Sequence, residues 1–305
     1  MLKPEEYFEP LPEDEREDAA AAMESRSFAR DVWDRFRHNR LALLGLIGLV
    51  IIMGFALIGP LVSPWPYDGM NAAIKNQGSS WAHWFGTDYM GRDLFTRVLY
   101  GTRVSLLVGF ASSAINLVIG VIYGGIAGYV GGKTDMLMMR IVDVIYAVPA
   151  MVYMILLMLL FGSNVYSVML GICVSGWVNM ARIVRGQILS LKEQEFATAA
   201  FVIGADRKRI LFRHLIINSL GPIIVTVMLM IPQAIFTEAF LSFIGIGISA
   251  PMASLGTLAQ AAQERMSKYP MQMVYPVATI CLVIFALNFI GEGLEDALNP
   301  RGERK

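Results

Sequence analysis

"LALLGLIGLVIIMGFALIGPLV", residues 41–62, carries no charged side chain and sits in a charge-free gap that runs from Arg40 to Asp68. About 20 apolar residues wound as a helix cross a hydrocarbon layer of ~30 Å, so this stretch reads as a membrane span and sets the solvent for everything after it. The same test finds "VSLLVGFASSAINLVIGVIYGGIAGYV" (104–130) as a second span. The interval from Asp143 to Arg182 is too long for one helix, and dividing it at "GSN" (162–164) gives a third and a fourth. "SLGPIIVTVMLMIPQAIF" onward, from 219 to about 245, is the fifth, and "MVYPVATICLVIFALNFIGEGL" (273–294) the sixth. The expected fold class is all-α: a polytopic membrane protein with six transmembrane helices.

Composition agrees with that solvent. Of 305 residues, 55% are hydrophobic and only 16% charged, too little polar surface to coat a soluble globule of this size. The formal charge of zero has no basic excess with which to hold a nucleic acid, so no nucleic-acid partner is expected and the lipid bilayer is. Cys173 and Cys281 lie in apolar runs without metal-ligand spacing and read as small buried hydrophobes.

Charge also orients the chain. The stretch 1–24 is acidic, bears proline and lacks an apolar signal region, which reads as a loose tail rather than a cleavable leader. "RSFARDVWDRFRHNR" (26–40) then puts a basic run directly before the first span, placing the N-terminus in the cytoplasm. Alternation through six spans puts 19 of the 25 Lys and Arg on that side, including Lys133, Arg140, Arg182 to Arg213 and Arg301 to Lys305. The resulting division is a tail at 1–40, a first helix and external segment at 41–103, a five-helix core at 104–294 with a cytoplasmic loop at 184–218, and a C-terminal tail at 295–305. Arg140 and Asp143, three residues apart, are positioned to pair locally.

No catalytic constellation is present. "GYVGGKT" (128–134) imitates a phosphate-binding loop, but the motif needs Gly at 127 and the chain has Ala127. Gly131 and Gly132 read instead as a turn ending a helix. The chain is expected to be no enzyme, to have no metal site and to need no cofactor; any ATP used with it is bound elsewhere.

One polar module interrupts the apolar runs: "EQEFATAAFVIGADRKRILFRHLIINSLGP", residues 193–222. As a helix, Phe196, Ala199, Ala200 and Ile203 share a face by their spacing, Gly204 breaks the run, and Asp206 sits near the N-terminus of a second helix, where a carboxylate suits the dipole. Small residues on that face allow close approach by a partner, and an amphipathic loop packed under the bundle fits the same pattern.

This stretch resembles the "EAA" cytoplasmic loop of ABC importer permeases, in which EAA, three residues and Gly form a coupling helix. Ala199, Ala200 and Gly204 match the spacing, while Thr198 stands at the Glu position and Ile217 where relatives often have Pro. Further stretches resemble the C-type subunit of oligopeptide and dipeptide importers, from about Phe28 to the end. They are "RFRHNRLALLG" (35–45), "FGTDYMGRDLFTRVLYGTRVSL" (85–106), "ARIVRGQILSLKEQEF" (181–196) and "EAFLSFIGIGISAP" (238–251), with "SLG" (254–256) in place of Ser-Trp-Gly.

The resemblance implies a type I importer permease fold in the bacterial cytoplasmic membrane, with both termini inside. It implies a homologous second permease, two ATP-binding subunits and an extracytoplasmic substrate-binding protein as partners. Di- or oligopeptides are the implied cargo; nickel chelates, glutathione or another small solute are the alternative. Glu195, Thr198, Ala199, Ala200, Gly204 and Asp206 become candidates for docking the ATPase. In the outer segment, Asp88, Arg92 and Asp93 form either a cap and ion-pair cluster or a contact for the binding protein. Glu238 and Pro232 in the fifth span are candidates for the pathway or a gate: Glu238 faces the path or the partner permease, and Pro232 is a gate hinge or a passive bend. Met151, Met154, Met158, Met228 and Met230 read as adaptable packing. A secondary transporter would need coupling charges within the spans, which are nearly absent.

Overall fold

The computed structural model describes residues 28–298, and the acidic N-terminal stretch and the basic C-terminal tail lie outside them. Its helices follow the side chains that cap them. After α1 (Phe28–Phe36), Asn39 starts α2 (Arg40–Val62) by accepting from the Leu41 and Ala42 amides. Asp93 caps α3 (Leu94–Val130), which ends at Gly131, where φ is +69°. Then come α4 (Gly132–Ala147), α5 (Ala150–Phe161), and α6 (Val165–Lys192), which Asn164 caps. The polar module folds as α7 (Glu195–Val202) and a helical run through Arg207–Arg209, Ile210–Leu215 and Ile216–Asn218, whose middle piece is π-helical. The chain closes with α8 (Leu220–Phe243), α9 (Leu255–Gln263), started by a Ser254–Thr257 capping box, and α10 (Met271–Leu298).

Five of these helices (α2, α3, α6, α8 and α10) are long and apolar enough to cross a membrane, and α4 with α5 makes a sixth crossing if counted as one. The third span is therefore a broken one. The two pieces are bent by 78° at Val148 and Pro149, because Pro has no N–H to continue a helix and disfavours helical backbone at the residue before it. The expected division at 162–164 holds, with Gly162 at φ +79° between α5 and α6.

On α2 the buried residues Ala42, Gly45, Leu49 and Ala56 lie along one stripe, while Leu44, Ile47, Ile51, Phe55 and Ile58 point out. A soluble protein would not leave that outward face bare; lipid is its solvent. The stripe rests on α10, which also packs on α8. α3 and α6 make the most extensive helix pair, and Gly120, Gly124 and Gly128 are the reason they come so close. A Cβ on Gly124 would lie 2.2 Å from the Ala181 carbonyl oxygen, so only glycine fits there. Met154 and Met158 are core residues, 4% exposed each, as their packing role requires.

Candidate functional site

A cavity of about 750 Å³ opens along one side of the bundle, where α3, α6, α8 and the α4–α5 bend meet. On α8 the residues facing it recur at helical spacing: Thr226, Met230, Gln233 and Thr237. Across from them α6 contributes Ser175, Asn179 and Arg182, again on one face, and α3 contributes Asn116, whose Oδ1 is buried without a hydrogen-bond partner. The Thr226 and Thr237 hydroxyls donate to the Pro222 and Gln233 carbonyls at 2.7 and 2.8 Å, which lets them lie in an apolar span at little cost. Neutral amides and hydroxyls thus line one wall within segments that are apolar elsewhere. Reading the sequence for charge alone passed over them; the signal was the spacing of polar residues inside the spans.

Arg182 sits at the end of this cavity nearer α7. Its Nη donates to Asp143 Oδ1 at 2.9 Å, and its guanidinium carbon lies 4.3 Å from the Tyr146 ring centroid. The expected local pair of Asp143 with Arg140 is replaced by this one, 39 positions along the chain, because the bend brings α4 against α6. One turn further on, Arg185 pairs with Asp135.

The module beyond α6 is built as expected in outline and turned differently in detail. α7 ends in a Schellman cap: the Gly204 N–H donates to the Phe201 carbonyl, the Ala205 N–H to the Ala200 carbonyl, and Gly204 has φ +82°. Asp206 starts the next helix without a side-chain capping bond. The expected face does not stay together, however. Ala200 is only 5% exposed and packs with Ala197, Ile210 and Leu211 into this chain's own core, which turns its side chain away from the surface a docking partner would meet. Small residues are there to let α7 lie close under the bundle. Glu195, Thr198, Ala199 and Gly204 are exposed, and so are Phe201, Val202 and Ile203, the last 83%.

In the outer segment, Asp88 accepts from the Met90 and Arg92 amides at 2.8 and 3.0 Å and from Arg92 Nε at 2.7 Å, and Arg97 Nε lies 3.7 Å away. Asp93 accepts from the Thr96 amide at 2.7 Å and faces His83 Nδ1 at 2.9 Å. Asp88, Arg92 and Asp93 are all buried. Buried, with both carboxylates bonded to backbone amides, they brace the outer segment, as the cap and ion-pair reading expects.

Glu238 is corrected too. Its carboxylate is fully buried, accepts from Ser105 at 2.6 Å and from Ser242 at 2.9 Å, and so ties α8 to α3 instead of lining the cavity. Pro232 is buried within α8, which runs through it as one helix.

Comparison with known proteins agrees with this architecture. The family described as "Binding-protein-dependent transport system inner membrane component" matches residues 104–304, and "N-terminal TM domain of oligopeptide transport permease C" matches residues 27–78. The chain is 42% identical to the oligopeptide transport system permease protein OppC of Bacillus subtilis over 98% of both chains. It is 43% identical to the dipeptide transport system permease protein DppC of the same organism, over 99% of this chain and 94% of that one. It is also similar in fold to a chain of the MetNI methionine ABC transporter in an inward facing conformation, with a TM-score of 0.56 at 15% identity over 67% of this chain and 96% of that chain.

Proposed function

Because the chain belongs to the family of binding-protein-dependent transport system inner membrane components, we propose that it is the permease subunit of an ATP-driven ABC importer for di- or oligopeptides. The observation that carries the reading is the cavity: a wall of neutral hydrogen-bonding groups within apolar helices, open on one side, is half of a solute path. A homologous second permease closes the other half. Two ATP-binding subunits bind and hydrolyse the ATP, and an extracytoplasmic binding protein delivers the cargo. The alternative cargoes, nickel chelates or glutathione, have no support from the named relatives, which are oligopeptide and dipeptide permeases.

The mechanism follows from how the pieces join. α6 runs unbroken from the cavity wall to Lys192 and is joined to α7 by two residues, so a displacement of α7 by the ATPases is passed along α6 to Ser175, Asn179 and Arg182. α7 offers Phe201, Val202 and Ile203 as the apolar surface the ATPase grips, with Glu195, Thr198 and Ala199 beside them. Gly204 and Asp206 turn the chain into the next helix. Glu238 and the outer ion-pair cluster hold the frame against which this displacement acts.

The division into tail 1–40, first helix and external segment 41–103, core 104–294 with coupling loop 184–218, and tail 295–305 is carried forward as part of the proposal. So is a bacterial cytoplasmic membrane location with both termini inside. Cysteines introduced at the exposed positions Ser190 and Ser79, in a chain with Cys173 and Cys281 replaced by serine, test the orientation. In intact cells only the Ser79→Cys variant is expected to react with a membrane-impermeant thiol reagent, and external labelling of Ser190→Cys would reverse the topology.

Transport itself is tested by reconstituting the full complex in proteoliposomes with its binding protein outside. Labelled trialanine should accumulate only with ATP at the ATPase side. Accumulation that follows an ion gradient and ignores ATP would defeat the reading.

A further inference from the structure

We propose that Arg182 is a specificity-determining residue of the translocation path, where its guanidinium receives the C-terminal carboxylate of the passing peptide. The inference rests on the peptide-import reading and names the chemistry of one contact within it.

Arg182 is the one charged side chain among the residues that line the cavity. Every other lining residue is apolar or a neutral amide or hydroxyl, and the nearest carboxylate, Asp143, is already engaged by Arg182, so a carboxylate entering this wall meets a guanidinium with donors to spare. The guanidinium also has capacity to spare. Among the described residues it makes one hydrogen bond, from one Nη to Asp143, while its fork carries five N–H donors. Neither partner is sealed off: the Arg182 side chain is 36% exposed and that of Asp143 52%.

The guanidinium carbon lies over the Tyr146 ring, a contact that attracts the cation without using its N–H donors. Asn179, one turn away on α6, and Gln233, on α8, supply the neutral donors and acceptors that a peptide backbone needs beside its terminus. Asp143 keeps the arginine charge compensated between passages, so the site is neither a bare cation in a membrane protein nor a trap that holds each carboxylate.

The test uses the reconstituted complex with trialanine and trialanine amide, each supplied at a concentration that saturates the binding protein, and reads the ratio of the two transport rates. Because the ratio is internal to each preparation, lower abundance of a variant cancels. The parent complex is expected to move the free acid about tenfold faster than the amide, in line with the strength of a charge-assisted hydrogen bond. Arg182→Gln should bring the ratio near one while retaining transport of the amide.

Asp143→Asn should keep the preference, since the arginine remains. Three results overturn the inference: a parent complex without preference, an equal loss of both peptides in Arg182→Gln, up to and including complete loss, or a preference abolished by Asp143→Asn, which would make the pair a structural latch. A parent complex that moves neither peptide with ATP is a different outcome, because it overturns the import reading itself.

Discussion

Gly124→Leu is expected to strip the protein from the membrane, lowering its abundance about tenfold or more, while Gly48→Leu leaves it near the parent level. Both add the same side chain to an apolar helix. A Cβ at Gly124 meets backbone, with Ala181 oxygen at 2.2 Å and Ala181 carbon atoms at 2.9 Å, and backbone within a helix cannot move aside. At Gly48 nothing lies within 4 Å, since that side of α2 faces outward. Overpacking a close contact costs about 1–3 kcal/mol where side chains can yield. Here they cannot, and the contact is the central α3–α6 seam, so the cost falls at or above the upper end. Membrane-fraction immunoblotting of the two variants decides the matter, and equal abundance would show that the seam is not what holds the bundle.

A double change of Phe201→Glu and Val202→Asp is expected to leave the permease in the membrane and paired with its homologue, yet to cut ATPase co-purification at least about tenfold. Phe201 is 64% exposed and Val202 75%, so neither holds the fold. An apolar surface that is covered in a complex becomes costly once two carboxylates must be desolvated there without partners. ATP-driven uptake should fall with co-purification. Intact co-purification at normal abundance would remove α7's outer face from the docking surface. Ala200→Arg, which the sequence pattern recommends as a probe, is the wrong one: it drives a charge into this chain's own core.

What the sequence made legible, and what it hid, follows from the range of the forces involved. The spans were legible because a membrane crossing is a property of 20 consecutive residues, and charge-free runs such as 41–62 cannot do much else. The positive φ at Gly204 and the Asp88–Arg92 pair were legible because both are made within a few residues. The bend at Pro149 was not, because α4 carries Asp135, Arg140 and Asp143 and so does not look like part of a span. Asp143 pairing with Arg182 depends on that bend, and the inward turn of Ala200 depends on how near α7 lies to the bundle. Helical spacing tells which residues share a face and is silent on what that face meets. The cavity wall was hidden for the same reason: its residues come from three helices, each with at most one polar position per turn on that side.

The break between α4 and α5 also bears on what happens to a subunit made without its counterpart. Around Val148 and Pro149 the helical hydrogen-bond ladder is interrupted, and among the described residues the Ile145 carbonyl alone receives a side-chain hydrogen bond there, from the Tyr153 hydroxyl at 3.1 Å. Lipid tails cannot solvate interrupted backbone, whereas water or another protein can. A solitary copy in a bilayer must therefore draw water into its open side or deform the lipid around it, and either raises its free energy. If the second permease proposed above covers that side, pairing with it relieves the burden in one step. Surplus copies are then expected to be the less stable population and the first that membrane proteases remove, which would match the two subunits in amount without any dedicated sensor.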